Sequence, residues 1–378
     1  MGNKKKNQTE INNQLRKLLV FVLILIGIAV FYMRIVTFGK NYSPTSFVTQ
    51  APVSTPEGTP SENASEYTPD SMEVYFFDVG QADSILLRTA DKVMLVDTGN
   101  AGDADNSKKV LNKINLSHEL DRLGIDTIDY LVATHPHEDH MGSMYKIINL
   151  FDVKELYSNK ILPENEWAGY YKRFVEALEN SNTHLITPTS YSDEELKKKV
   201  EQYNLLALTD EEKITFNPAD YCRVGDMIPF GNAKVTILGP NSEAYRDTND
   251  YSIVLMVEFE GVKLILTGDA GTLAEREILL NSVRSGIDLN ADILKVGHHG
   301  SRTASSEDFI STIKPDYAII MVGEGNSYGL PDEDVIERLE KHGSTIYMTK
   351  DVGDIKLTIN DGNYDFDLDF SHEEKGAE

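Results

Sequence analysis

Thr134-His-Pro-His-Glu-Asp-His140 places three imidazoles and a carboxylate, those of His135, His137, Asp139 and His140, within six positions. Imidazole nitrogen and carboxylate oxygen suit Zn²⁺, Mn²⁺ or Fe²⁺, and an i, i+2 pair followed by an adjacent Asp-His can feed two neighbouring ions from one loop. A merely solvated, histidine-rich loop is the competing reading. It fits poorly with Leu131-Val132-Ala133 just upstream, which reads as a buried strand delivering its end to the site. Of nine histidines in the chain, three sit here and two more form a second cluster at His298 and His299.

Working outward, the 378 residues and 40% hydrophobic content suffice for one large core or two small ones. The single Cys222 excludes an intrachain disulfide and reads as a small core residue. Residues 18–38 are almost uncharged, with only Arg34 interrupting the apolar run, and about 20 such residues span a bilayer. Lys4, Lys5, Lys6, Arg16 and Lys17 precede the run, so the positive-inside rule leaves residues 1–17 as a cytoplasmic basic tail. No small-x-small cleavage site follows, which favours an uncleaved anchor over a signal peptide. Residues 39–71 then read as a disordered linker, since 41–70 hold five prolines and ten Ser/Thr. The sequence expectation is thus a single-pass cell-membrane protein, its membrane partner met through the N-terminal helix and its folded part extracellular. Subtracting the +6 of residues 1–40 from the net −25 leaves −31 for the rest, a field that repels polyanions unless a local basic patch or metal ions compensate.

The folded part is expected over 72–362, with 363–378 an acidic C-terminal tail. Residues 72–77, 84–88 and 92–96 read as paired strands around the polar turn Asp78–Asp83 and end on Asp97-Thr98-Gly99. A short helix at 118–123, a strand at 130–134 and a helix at 141–150 surround the histidine loop. Residues 164–208 are mostly helical in pattern, with a Ser192-Asp-Glu-Glu195 capping box and Trp167, Tyr170, Tyr171 and Phe174 as a core-facing stripe. Strands resume at 234–238, 252–259 and 262–267, the last running into Gly268-Asp269. A strand at 291–297 empties into His298-His299-Gly300-Ser301, and strands at 317–322 and 344–348 flank a helix at 331–342. Strand, ligand-bearing loop, then helix is the α/β pattern in which sites gather at strand carboxyl ends.

These segments resemble the metallo-β-lactamase superfamily, and within it the hydrolase-like domain of the ComEC-type competence proteins. The markers run in order: Phe77-Asp-Val-Gly-Gln-Ala-Asp83, Leu95-Val-Asp-Thr-Gly99, His-x-His-x-Asp-His at 135–140, Asn249-Asp-Tyr-Ser252, Leu266-Thr-Gly-Asp269, Lys295-Val-Gly-His-His-Gly-Ser301 and Asn326-x-Tyr-Gly-x-Pro331. The resemblance implies an α/β fold, a four-layer αββα sandwich holding two divalent ions, Zn or Mn, between its sheets. His135 and His137 would bind one ion, Asp139 and His140 the other, and Asp269 would bridge them. His298 or His299 would complete the set and the other would contact substrate, an alternative the sequence leaves open; with His298 taken as the ligand, His299 joins Asp139 and Asp97 as a catalytic group. Asp97 would orient the histidine loop. Gln81, Asp83, Asn249, Ser252, Ser301 and Arg302 would meet substrate, and Lys295 reads as a snorkelling side chain at a sheet edge.

Two departures are visible. The only histidine between the first cluster and Asp269 is His184, in a segment that does not match, and Leu330 stands where the competence group usually carries a histidine. The function expected is that of a membrane-anchored, extracellular, metal-dependent hydrolase, a phosphodiesterase or nuclease acting on DNA, a nucleotide or an envelope phosphate ester. The alternative is a non-catalytic, metal-binding surface sensor or binding protein on the same fold. One anchor cannot form a DNA channel, so transport is not implied.

Overall fold

Alternation with a period of two builds both sheets of the computed structural model, which describes residues 71–101, 116–161, 163, 169–207, 209 and 213–368. In chain order the first elements are β1 (Met72–Phe76), β2 (Ile85–Arg88), β3 (Val93–Val96), α1 (Leu116–Arg122), β4 (Thr127–Ala133), α2 (Glu138–Met141), α3 (Met144–Leu150), β5 (Asp152–Ser158), α4 (Gly169–Glu179), β6 (His184–Pro188), α5 (Asp193–Leu206) and β7 (Tyr221–Cys222). They are followed by β8 (Met227–Phe230), β9 (Ala233–Gly239), β10 (Val254–Phe259), β11 (Val262–Leu266), α6 (Thr272–Ser285), β12 (Ile293–Lys295), α7 (Glu307–Ile313), β13 (Tyr317–Ile320), α8 (Glu333–Lys341), β14 (Thr345–Met348), α9 (Thr349–Val352), β15 (Ile355–Asn360) and β16 (Asn363–Leu368).

Among the described residues the chain divides into two compact units, one of 71–190 with 219–368 and one of 191–218. In the second, α5 starts on the expected capping box: Ser192 Oγ accepts from Glu195 N, and the Glu195 carboxylate accepts from Ser192 N. Asn204 ties its far end to the backbone of Ile214 through both amide atoms.

The larger unit holds a nine-stranded sheet ordered β16-β15-β1-β2-β3-β4-β5-β6-β7 and a seven-stranded sheet ordered β14-β13-β12-β11-β10-β9-β8. Successive side chains of a strand point to opposite faces, and the core clusters follow that rule. Met72, Val74 and Phe76 of β1 share one cluster with Leu255 and Val257 of β10 and Leu264 and Leu266 of β11, the layer between the sheets. Tyr75, Leu86 and Leu95 face the other way and pack with Leu120 of α1, Ile147 of α3 and Phe174 of α4. Val254, Ile265 and Leu294 do the same on the second sheet with Ile278 of α6, Phe309 of α7 and Leu339 of α8. Helices therefore cover the outer face of each sheet, as the αββα expectation requires.

Several expectations are corrected. The stretch 164–208 is not mostly helical: β6 interrupts it, pairing parallel with β5 from Glu155↔His184 to Tyr157↔Ile186. Five residues are too few for periodicity to separate strand from helix, so the pairing partner decides. Tyr170, Tyr171 and Phe174 are buried in the core as expected, whereas Trp167 lies outside the described residues. The helix expected over 141–150 breaks at Ser143, whose φ of −99° and ψ of 1° leave helical geometry and whose Oγ donates to Asn100 O at 2.6 Å; Gly142 beside it lets the Gly99–Ala101 turn approach, since a Cβ there would lie 2.1 Å from Ala101 N. Residues 363–368 are a strand rather than the start of an acidic tail. Tyr364, Phe366 and Leu368 pack against the inter-sheet core while Asp365 and Asp367 face solvent, an alternation that the acidic composition obscures.

The membrane-spanning location is also corrected. No described helix is long and apolar enough to cross a membrane. The segment 18–38 and the tail and linker around it lie outside the described residues, so the single-pass, cell-surface location is not retained.

Since Phe366 belongs to the core edge, Phe366→Ala should lower the unfolding free energy by about 2 kcal/mol, while Asp365→Ala stays within roughly 0.5 kcal/mol. Urea denaturation of both variants reads the difference; equal effects would place residues 363–368 outside the cooperative fold.

Candidate metal centre

Four strand ends supply the site. β3 and β4, parallel neighbours in the first sheet, end beside Asp97 and Thr134; β11 and β12, parallel neighbours in the second, end beside Asp269 and Lys295. Each chain must then turn sharply. Asp97, His298 and His299 adopt left-handed φ of 59°, 49° and 52°, a conformation that costs L residues on the order of 1–3 kcal/mol and persists where surroundings enforce it. Gly268, at φ 52°, needs its missing side chain twice over, since a Cβ would also meet Thr134 Cβ at 2.9 Å. That close approach lets Ile253 N donate to Thr134 O at 3.0 Å and His298 N to Gly268 O at 3.2 Å. Tyr170 Oη holds Pro136 O at 2.7 Å, and Asn159 Nδ2 holds Thr134 O at 3.0 Å.

The side chains converge on one atom. Asp269 Oδ2 lies 3.3 Å from His140 Nε2, 3.7 Å from His298 Nε2, 3.8 Å from His299 Nε2 and 3.9 Å from His135 Nε2. Asp139 Oδ2 is 3.3 Å from His299 Nε2, and His137 Nδ1 is 3.0 Å from His135 Nε2. Behind the imidazoles stand their anchors. Asp97 Oδ2 is 2.7 Å from His140 Nδ1 and accepts from Thr134 Oγ1 at 2.7 Å, while Oδ1 accepts from Thr134 N at 2.8 Å. His299 Nδ1 lies 2.8 Å from Met321 O and 3.4 Å from Asp83 Oδ1. Asp83 Oδ2 in turn pairs with Lys295 Nζ, which also donates to Gly268 O at 3.2 Å.

Burial penalises charge on Asp97, His135, Asp139, His140, Asp269 and His299, and their mutual charges enter each balance. Against burial, His140 and His299 hold the Asp269 carboxyl well below the usual range, and the carboxylates of Asp269, Asp97 and Asp139 raise His140 well above an ordinary imidazole. His299 is pushed up to about 10 despite its burial, by Asp269 and Asp83. His135 goes the other way, lowered first by burial and then by the charge on His140. Burial likewise raises Asp97, outweighing His140.

The donor set fits a divalent cation. Ligand atoms of Asp139, His140, Asp269 and His299 all lie within 4.8 Å of one another. His140 Nε2 and Asp269 Oδ1 are buried without a hydrogen bond. Buried polar atoms are rarely left so, and an ion would satisfy both charge and valence.

The family model of the metallo-β-lactamase superfamily matches residues 77–324. The chain belongs to that superfamily. The ComE operon protein 3 of Bacillus subtilis is 26% identical over 293 residues, which is 75% of this chain and 32% of that protein. The competence protein ComA of Neisseria gonorrhoeae is 25% identical over 307 residues, 81% of this chain and 34% of the relative. The chain thus spans about a third of the length of these relatives. Among solved structures, the diiron β-hydroxylase CmlA of Streptomyces venezuelae superposes with a TM-score of 0.44 at 13% identity, over 78% of this chain and 55% of that one.

On this metallo-β-lactamase scaffold the expected residues separate. Asp139, His140 and Asp269 share a compact group with His299, the member of the histidine pair expected to be catalytic. His298, expected as the ligand, reaches Asp269 but stands outside that group, with Nδ1 2.9 Å from Thr303 Oγ1. Asp83 and Ser252, expected to meet substrate, are corrected: both are buried, Asp83 behind His299 and Ser252 with Oγ 3.4 Å from His135 Nδ1 and accepting from Asp269 N at 3.1 Å. Gln81 Oε1 accepts from Gly323 N at 3.2 Å, and Asn249 is buried with Oδ1 unbonded. Ser301 Oγ pairs with Thr303 Oγ1 at 3.0 Å, and Arg302 with Asp332 at 2.5 Å. His184 pairs with Asp220 at 3.0 Å. Lys295 does not snorkel: β12 lies inside its sheet, and the side chain is fully buried. Thr134, Asn159 and the Tyr170 hydroxyl escaped the sequence reading, for nothing local marks a Thr, an Asn or a core Tyr as a loop anchor.

Asp97→Ala should weaken divalent-metal affinity by about 10–100-fold, because His140 loses the partner of its Nδ1 and Thr134 two hydrogen bonds. Titration calorimetry with Mn²⁺ or Zn²⁺ measures it, and unchanged affinity in folded variant protein would remove Asp97 from the site.

Proposed function

We propose that this chain is a metal-dependent hydrolase of phosphodiesters that works with two divalent ions, Zn or Mn. One observation carries the reading: the imidazoles of both histidine clusters, brought from different sheets, point Nε2 at a single carboxylate oxygen of Asp269. Asp139, His140, Asp269 and His299 would hold one ion, and His135 and His137, with Asp269 shared and His298 beside it, the second. When bound, such a pair lowers the pKa of water toward neutrality and clamps an oxygen of the phosphoryl group during in-line attack.

The chain's own residues prepare that chemistry. Asp97 Oδ2 faces Nδ1 of His140 and Met321 O faces Nδ1 of His299, with Asp83 close behind, which would fix the tautomer that leaves each Nε2 lone pair turned inward. Asp139 is the carboxylate at the mouth, its side chain 31% exposed where those of Asp83 and Asp269 are 2%, and on this reading it would orient the attacking water. Ser301 and Arg302 follow directly on the His299 turn. The Arg302 guanidinium is 64% exposed but paired with Asp332, and would engage a phosphate only by giving up that pair.

Nucleic acid is the first substrate to test, since relatives carry the names competence protein and, for a 26% identical protein of Haemophilus influenzae, recombination protein 2. The net charge of −25 opposes long polyanions and favours nucleotides or small phosphate esters in the same assay.

Purified protein should hydrolyse bis-p-nitrophenyl phosphate with added Mn²⁺ or Zn²⁺, lose the activity to chelator, and lose at least roughly the hundredfold that outer partners cost in His140→Ala. Folded, metal-loaded protein without turnover on DNA, nucleotides or phosphate esters would replace this reading by a metal-binding sensor.

A further inference from the structure

Lys295 sits where an ammonium is least welcome. Its neighbours in register, Leu266 on β11 and Ile319 on β13, both belong to the core between the sheets, and Ile293, two residues earlier on the same face, does too. Taking a lysine out of water there costs several kcal/mol unless a charge meets it. Asp83 supplies that charge from the β1–β2 turn, so the pair joins the two sheets directly beneath the imidazoles.

Its placement relative to Asp269 is specific. Lys295 Nζ lies 4.0 Å from Oδ1 of Asp269, whereas all four imidazole contacts fall on Oδ2. The two oxygens of one carboxylate therefore face different cations. Around the site, Asp83, Asp97, Asp139 and Asp269 each bring one negative charge, and Lys295 brings one positive; with the imidazoles neutral, as ligands must be, the cluster carries three negative charges.

We propose that the Asp83–Lys295 pair is a fixed internal counter-charge of the metal centre: the ammonium occupies the Oδ1 side of Asp269, leaves Oδ2 to the ions, and sets how tightly they are held. The inference rests on reading the cluster as a metal centre and is independent of whether that centre hydrolyses anything. It makes Lys295 a positioning residue rather than a catalytic one.

The sign of the effect separates this role from a structural one. Lys295→Met leaves the cluster one charge more negative, and Asp83→Asn one less. The double variant restores the count with side chains of similar size. Metal-stripped full-length protein is titrated with Mn²⁺ alone and with Zn²⁺ alone by calorimetry, and folding is checked by circular dichroism. Lys295→Met should bind about tenfold more tightly or better, Asp83→Asn about tenfold more weakly, and the double variant within roughly threefold of the natural protein. A purely structural pair predicts the reverse for Lys295→Met, with every variant binding more weakly in step with its lost stability. Equal or weaker binding by Lys295→Met overturns the proposal, and so does its failure to fold at saturating metal, because the ions would neutralise the excess charge. If the natural protein binds neither ion, the metal-centre reading itself fails. That outcome is distinct from binding which ignores the pair.

Discussion

Burying several carboxylates together is the constraint around which the rest of this structure is arranged. Asp83, Asp97 and Asp269 are each 1% exposed and lie in one cluster with Asp139. Stripped of water, such groups repel one another and would take up protons unless cations and donors faced them. The fold meets that demand with four inward-pointing imidazoles, the ammonium of Lys295 and the backbone and hydroxyl of Thr134. A divalent ion is the remaining partner that the orphaned His140 Nε2 calls for.

The sandwich makes this possible because parallel neighbours end side by side. β3 and β4 bring Asp97 against Thr134 and the histidine loop, while β11 and β12 bring Asp269 against Lys295 and the second histidine pair. Strand alternation holds the two sheets together through an apolar layer, and the same alternation aims Lys295 into it. The left-handed turns at Asp97, His298 and His299 then bend the chain back within a residue or two of each strand end. Backbone strain at these three positions is thus part of how the imidazoles and carboxylates meet, and it is held in place by a dense shell of hydrogen bonds.

Much of this was legible in the primary structure. A clean strand running into His-Pro-His-Glu-Asp-His, and a second into His-His, are local patterns, and each reads correctly without its surroundings. The period-two stretches of β1–β3 and β9–β13 are equally local. What escaped was whatever depends on a distant partner. β6 is a strand because β5 pairs with it, and β16 because β15 does, although both lie in polar or acidic sequence. The helix after the histidine loop breaks where Ser143 leaves helical geometry and donates to the distant Asn100 carbonyl.

Asp83, Ser252 and Lys295 make the same point at the site. Polar residues in loop motifs look like substrate contacts, and a lysine ending a strand looks like a surface residue, until packing closes water out and pairs them with one another. By itself the amino-acid sequence determined the residue types of the centre, their grouping into two clusters and the alternating pattern of most strands, because chemistry and periodicity are written within a few positions. Only the tertiary structure decided which histidine shares a group with Asp139, which carboxylates lie behind the imidazoles and which oxygen of Asp269 faces them. Those depend on distances between segments that lie tens to more than two hundred residues apart, and only the folding of two sheets over a common core sets such distances.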